Sequence, residues 1–158
     1  MFLVNLVPLL LVFGVLTQSG VDATEHLEED QSDLREAVAS LFDEYISASL
    51  SGNTDAVVSL HDKDAKILVE GFPPATGLEE IRTLVELLPE RAAKMKWTVK
   101  EVWPMDKDEN YVYVRFYFEN INKSGEKYLD GTALTVLKKS EDQYKFYLVM
   151  FNTHNQAT

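Results

Sequence analysis

Tyr111-Val112-Tyr113-Val114-Arg115-Phe116-Tyr117-Phe118-Glu119 is the stretch on which the fold turns, because its side chains alternate with a period of two. Successive side chains of a strand point to opposite faces. Val112, Val114, Phe116 and Phe118 therefore form a core face, and the tyrosines, Arg115 and Glu119 form the other. The same period continues on both sides. Residues 95–105, 110–121, 126–138 and 143–153 are β-rich runs separated by turn-forming clusters at 106–110, 122–125 and 140–143, which predicts an antiparallel four-stranded meander.

Upstream the period is helical. Ser32 is placed to cap a helix striped by Leu34, Val38, Leu41, Phe42, Tyr45 and Ile46 and ending at Gly52. Asn53 or Thr54 starts a short second helix carrying Ala56, Val57 and Leu60. Lys66-Ile67-Leu68-Val69 reads as a buried strand, and Phe72-Pro73-Pro74 as a turn. Thr76 and Glu79 have capping-box spacing for a third helix, striped by Leu78, Ile81, Leu84, Val85 and Leu88 and ended or kinked by Pro89. Helices first and a twisted sheet last make an α+β layer arrangement in which the sheet curls around the long helix.

The chain has 158 residues, no cysteine, and 15 basic against 26 acidic side chains, a formal charge of −11. One domain accommodates that length. Cysteine absence excludes disulfides, thiol catalysis and Cys-ligated metal. The acidic balance argues against nucleic acid and anionic membrane surfaces as partners. Residues 2–16 are an apolar run, with Val21 and Ala23 at −3 and −1 of a small-residue cleavage site, so residues 1–23 read as a secretory signal and the mature chain as starting at Thr24. The run has no Lys or Arg before it, which keeps an uncleaved anchor as the alternative. Residues 24–32 form an acidic leader and residues 33–154 the domain, expected to be extracellular.

Tyr45-x7-Asn53, Leu60-His61-Asp62-Lys63-Asp64-Ala65 and Gly77-Leu78-Glu79-Glu80-Ile81-Arg82, in this order of elements, resemble the nuclear transport factor 2-like superfamily, especially its SnoaL-like branch. The resemblance covers residues 33–154. It implies a cystatin-like, cone-shaped α+β barrel with an apolar pocket between helices and sheet, often paired through the outer sheet face. Such folds serve isomerases, cyclases, dehydratases and non-catalytic binding or assembly domains alike. Ketosteroid isomerase-like members use a carboxylate base with a Tyr and a protonated Asp. Tyr45 stands where that Tyr is expected, whereas the two acid positions fall on Val69, next to Glu70, and on Ala133, with Asp130 three residues earlier.

Glu101 is the strongest lone acid. It shares strand parity with Met95, Trp97, Val99, Trp103 and Met105, a wall in which desolvation would disfavour its charge and suit it to acid–base work. A bulge near Val102-Trp103-Pro104 would instead turn it to solvent. His61 is a second proton-shuttle candidate, polarised by Asp62 or Asp64, unless it is a solvated helix-end histidine. His154 either reaches the cavity mouth or stays exposed near the terminus. The three histidines show no metal-ligand spacing, and Asp106-x-Asp108-x-Asn110 lacks the Gly and final Glu of a calcium loop, so no metal or cofactor is expected. No nucleophile elbow or phosphate loop is present.

The expected function is binding of a small, mostly apolar ligand by Tyr45, Trp97, Glu101, Trp103, Phe116 and Phe118. An isomerase or dehydratase using the same pocket is the alternative, with Glu101 or His61 as the shuttle. A third reading is an interaction module. The outward face of Tyr111, Tyr113, Arg115 and Tyr117, joined by Tyr147, Val149 and Phe151, is apolar enough for a homodimer contact unless the first helix covers it. Asn122-Lys123-Ser124 is an N-glycosylation sequon in an expected exposed turn.

Overall fold

A computed structural model describes residues 21–86 and 92–154, with side chains described from Ser32 onward. The chain divides between Ser32 and Asp33 into two units, and the account below concerns the second. Its elements are α1 (Val21–Leu50), α2 (Thr54–Ser59), β1 (His61–Val69), β2 (Ala75–Thr76), α3 (Gly77–Glu86), β3 (Lys94–Pro104), β4 (Tyr111–Ile121), β5 (Lys127–Ser140) and β6 (Gln143–Thr153). The six strands form one curved sheet in the order β2-β1-β6-β5-β4-β3, antiparallel throughout except where β1 runs parallel to β6. This is the expected α+β class and the expected meander.

Several local readings need correction. The first helix is already present at Val21, the first described residue, so Ser32 lies inside it rather than capping it. Residues 24–32 contain neither Gly nor Pro and are rich in Glu, and nothing in them stops a helix. The strand expected at Lys66–Val69 starts five residues earlier, at His61. At α3 it is Glu80, not Glu79, whose carboxylate accepts from the Thr76 N–H at 2.7 Å. Leu88 and Pro89 lie outside the described residues.

The end of α1 follows the expected chemistry. Gly52, at φ 70°, adopts the left-handed conformation that a C-terminal glycine permits. Its N–H donates to Ser49 O at 3.1 Å, and the Asn53 N–H donates to Ala48 O at 2.9 Å, the two bonds of a Schellman ending. Asn53 then opens α2, its Oδ1 accepting from the Ala56 N–H at 3.1 Å. One residue thus closes one helix and caps the next.

Leu34, Val38, Leu41 and Phe42 of α1 pack against Val102, Val112, Val114, Phe116, Phe118, Ala133, Leu137 and Phe146 of the sheet. A second cluster joins Ala48, Val57, Ala65, Ile67, Ile81 and Val85. In β4 the alternation holds, with Val112 and Val114 fully buried.

Two other strands each contain a one-residue irregularity. In β3 the pairing passes from Val99↔Phe116 to Glu101↔Arg115, so Lys100 is left over. In β6 it passes from Leu137↔Phe146 to Val136↔Leu148, leaving Tyr147. An extra residue reverses the facing of everything beyond it. Val102, rather than Glu101 or Trp103, therefore enters the core, and Val149 and Phe151 pack inward instead of joining the outer face.

Gly131 sits where the β-sheet leaves no room for a side chain. A Cβ there would lie 2.1 Å from Asn152 O and 2.7 Å from the Phe118 ring. Gly131→Ala is expected to cost about 3 kcal/mol through overpacking and backbone displacement, read as a lower urea midpoint at unchanged slope. A midpoint within 0.3 M of wild type, roughly the scatter of such measurements, would show that the close approach is not sustained.

Candidate functional site

Along α1 the side chains facing the sheet shrink from Phe42 and Tyr45 to Ala48, Ser49 and Gly52. The bulky pair closes the upper part of the layer. Trp97 lies with its ring centre 5.0 Å from Phe42, 4.9 Å from Tyr45 and 4.8 Å from Phe116, and Phe146 lies 5.4 Å from Tyr45. This packed aromatic block occupies the space in which a ligand was expected. Trp97, Phe116 and Phe118 are thus core side chains rather than cavity lining.

Beyond the block the small residues leave a cavity of about 460 Å³. Its walls come from the end of α1 (Tyr45, Ala48, Ser49), from Gly52 and Asn53, from α2 (Thr54, Val57), from Val85 and Ala92, and from Met95, Asn120, Tyr128 and Leu129 of the sheet. Of the six expected ligand-binding residues only Tyr45 is among them. Burial pushes its phenol up to about 12, against a smaller opposite pull from the Ser49 hydrogen bond, so it stays protonated at neutral pH. Asn120 continues the inward parity of Phe116 and Phe118, and its buried Oδ1 finds no hydrogen-bond partner among the described residues. The described lining contains no carboxylate, imidazole, ammonium or guanidinium group.

The two proton-shuttle candidates lie elsewhere. Glu101 is on the outer face because of the Lys100 bulge, paired with Arg115 at 2.5 Å and accepting from Tyr113 at 3.3 Å. The Arg115 hydrogen bond, opposed by partial desolvation, holds its carboxyl below the usual value, which is the reverse of what a poised acid needs. Trp103 is carried to the same outer face and is 54% exposed. His61 is not a solvated helix end but a buried residue at the start of β1, behind Tyr45, its Nδ1–H donating to Val57 O at 2.9 Å.

Neither acid position implied by the family resemblance holds a carboxylate. Val69 packs with the second core cluster and Ala133 with the first. Asp130 turns outward, where Tyr117 donates to it at 2.6 Å and Lys127 at 3.1 Å. His154, also outward, stacks on Tyr117 and pairs with Thr132 through Nε2 at 3.0 Å. Asp106 is a turn-former: its two oxygens accept from the N–H groups of Asp108, Asn110 and Tyr111. Among the described residues no group of acids and histidines is arranged to hold a metal ion, and no helix is long and apolar enough to cross a membrane.

Asn120, Asn53, Met95 and Leu129 were not expected at the site. The signal that could have found them is the run of small residues at Ala48-Ser49 and Gly52, which marks where α1 stops filling the layer.

No protein-family model and no curated protein sequence matches the chain. Solved structures do. A ketosteroid isomerase-like protein from Erwinia carotovora atroseptica SCRI1043 aligns with a TM-score of 0.64 and 20% identity, over 77% of this chain and 96% of that one. A nuclear transport factor 2-like protein from Shewanella oneidensis MR-1 gives 0.64 and 14%, over 74% and 97%. A scytalone dehydratase-like protein from Novosphingobium aromaticivorans DSM 12444 gives 0.66 and 15%, over 82% and 89%. At these identities they establish the fold, that of nuclear transport factor 2-like proteins, which other matching structures carry under the description cystatin-like.

Burial lowers the His61 pKa from its ordinary 6.5, with the Val57 carbonyl pulling the other way. The unfolded chain therefore takes up this proton at a higher pH than the folded one, and stability falls as pH drops below about 6.5. Urea midpoints between pH 7.5 and 5.0 are expected to decline less steeply in His61→Gln than in wild type. Equal slopes would mean that His61 is not held neutral.

Proposed function

We propose that the chain is a secreted, SnoaL-like binding protein that holds a small, neutral, mostly apolar molecule in the cavity between the end of α1 and the sheet. The observation that carries this is the lining itself: Ala48, Val57, Val85, Met95 and Leu129 give apolar area, and a few neutral polar groups give orientation. With no charged side chain in the described lining, a charged ligand would lose its hydration without a partner. Some structural neighbours carry isomerase-like or dehydratase-like descriptions, and that chemistry needs a proton shuttle. The described lining offers two phenols, Tyr45 and Tyr128, and no carboxylate or imidazole, and Tyr45 is held protonated, which favours binding over turnover.

The outer sheet face favours a homodimer as the binding unit. Cross-strand neighbours there run Trp103–Tyr113–Val136–Leu148 and Arg115–Leu134–Met150–Leu68. Trp103 and Met150 on this strip are exposed, and Leu34, Val38, Leu41 and Phe42 of α1 pack on the opposite face. Asn122, the sequon residue, sits in a tight turn in which its Oδ1 accepts from the Ser124 and Glu126 N–H groups. Export and a glycan at this turn belong to the same proposal.

N-Phenyl-1-naphthylamine, a neutral fluorescent probe, is expected to bind wild type with micromolar affinity and to lose at least about tenfold in Met95→Trp, which fills the cavity. Binding unaffected by that variant would place the probe elsewhere and remove the site. Native mass spectrometry of protein recovered from its own cells and their medium is expected to show a dimer of chains starting at Thr24 with sugar on Asn122, and Leu148→Glu is expected to return it to monomer mass. A chain retaining residues 1–23, unmodified and monomeric, would end the export, glycan and dimer assignments together.

A further inference from the structure

Asn120 stands out among the cavity residues because its side-chain oxygen is closed to solvent yet unpartnered among the described residues. A buried acceptor without a donor costs about 1–3 kcal/mol. Native proteins keep such a group rarely, and each instance calls for a reason. A purely structural role does not supply one. Asn120 opposes Met95 on β3 and Leu129 on β5, and an apolar residue would suit that wall better than an amide.

We infer that Asn120 selects the ligand, and that the ligand is an uncharged alcohol or phenol whose O–H donates to the Asn120 amide oxygen while its apolar body lies against Val57, Val85, Met95 and Leu129. This inference rests on the cavity being a binding site. The terminal torsion of an asparagine is broad, so a rotation of the amide brings the oxygen onto the cavity at small cost. A charged donor such as an ammonium does not fit, since the described lining has no counter-charge for it. An ether or hydrocarbon of the same shape leaves the oxygen unpartnered, and a site built around a hydroxyl discriminates against such analogues. The asymmetry is one of satisfied against orphaned acceptor, and its sign does not depend on ligand size.

The test compares 2-naphthol with 2-methoxynaphthalene by calorimetry and by quenching of tryptophan fluorescence, Trp97 being packed against Tyr45 of the cavity wall. Wild type is expected to prefer the naphthol about tenfold, the equivalent of one hydrogen bond to an otherwise orphaned group. In Asn120→Leu the preference is expected to vanish while the methoxy compound binds as well as before or better. The thermal midpoint of Asn120→Leu is expected to equal or exceed that of wild type, because an unpartnered amide is gone. Asn120→Ala reads the same preference should the leucine variant not fold. Equal affinities in wild type, or a hydroxyl preference that survives in both variants, would overturn the assignment of Asn120 and leave the cavity reading standing. Failure of both naphthalenes and of N-phenyl-1-naphthylamine to bind would remove the cavity reading and this inference with it.

Discussion

The contact of Phe42 and Tyr45 with Trp97, Phe116 and Phe146 is the constraint from which the rest of this domain follows. It fixes α1 to three different strands at once, since Trp97 belongs to β3, Phe116 to β4 and Phe146 to β6. Aromatic rings at edge-to-face and tilted separations near 5 Å combine large apolar burial with a defined geometry. Truncating any one of them would cost a sizeable share of the stability of a domain this size. The cluster also decides where a ligand can go. Space inside the curved sheet is finite, and where α1 brings rings there is none left over. Where it brings Ala48, Ser49 and Gly52, the cavity opens.

The electrostatics divide in the same way. Inside, the ionisable groups are held in their neutral forms: Tyr45 protonated and His61 uncharged, both through burial. Outside, several carboxylates are paired. Asp62, although little exposed, is held below the ordinary carboxylate value because the Asp64 N–H and Lys138 at 3.0 Å outweigh the cost of burial. Glu101 has Arg115, and Asp130 has Tyr117 and Lys127. Among the described residues, none of the acidic side chains lines the cavity.

Most of the architecture was readable from periodicity, and most of the site was not. Helical stripes and strand alternation fix element type, order and core face wherever the backbone is regular, as in β4, where Val112, Val114, Phe116 and Phe118 face inward as the pattern names. Periodicity counts residues, however, and a bulge adds one without a composition signal. Lys100 and Tyr147 are unremarkable in the chain, yet they send Glu101, Trp103, Val149 and Phe151 to the faces opposite their parity. His61 was misplaced because β1 begins after a single residue, Leu60, beyond the end of α2. Asn120 was missed for a different reason. Near a strand end and two residues before a turn an asparagine looks like turn chemistry, and only the sheet register shows that it faces inward.

β3 is a long edge, eleven residues with one side of its backbone open in the sheet order. Edges of that length can recruit strands from other molecules, and proteins blunt them with lysines, bulges and proline. β3 has all three: Lys94, Lys96 and Lys100 along its length, the bulge at Lys100, and Pro104 as its last residue. The irregularity that defeated a two-residue count is therefore a safeguard against polymerisation, because a kinked, positively charged edge cannot register with a copy of itself. The homodimer proposed above uses the face of the sheet instead, where side chains rather than backbone choose the partner.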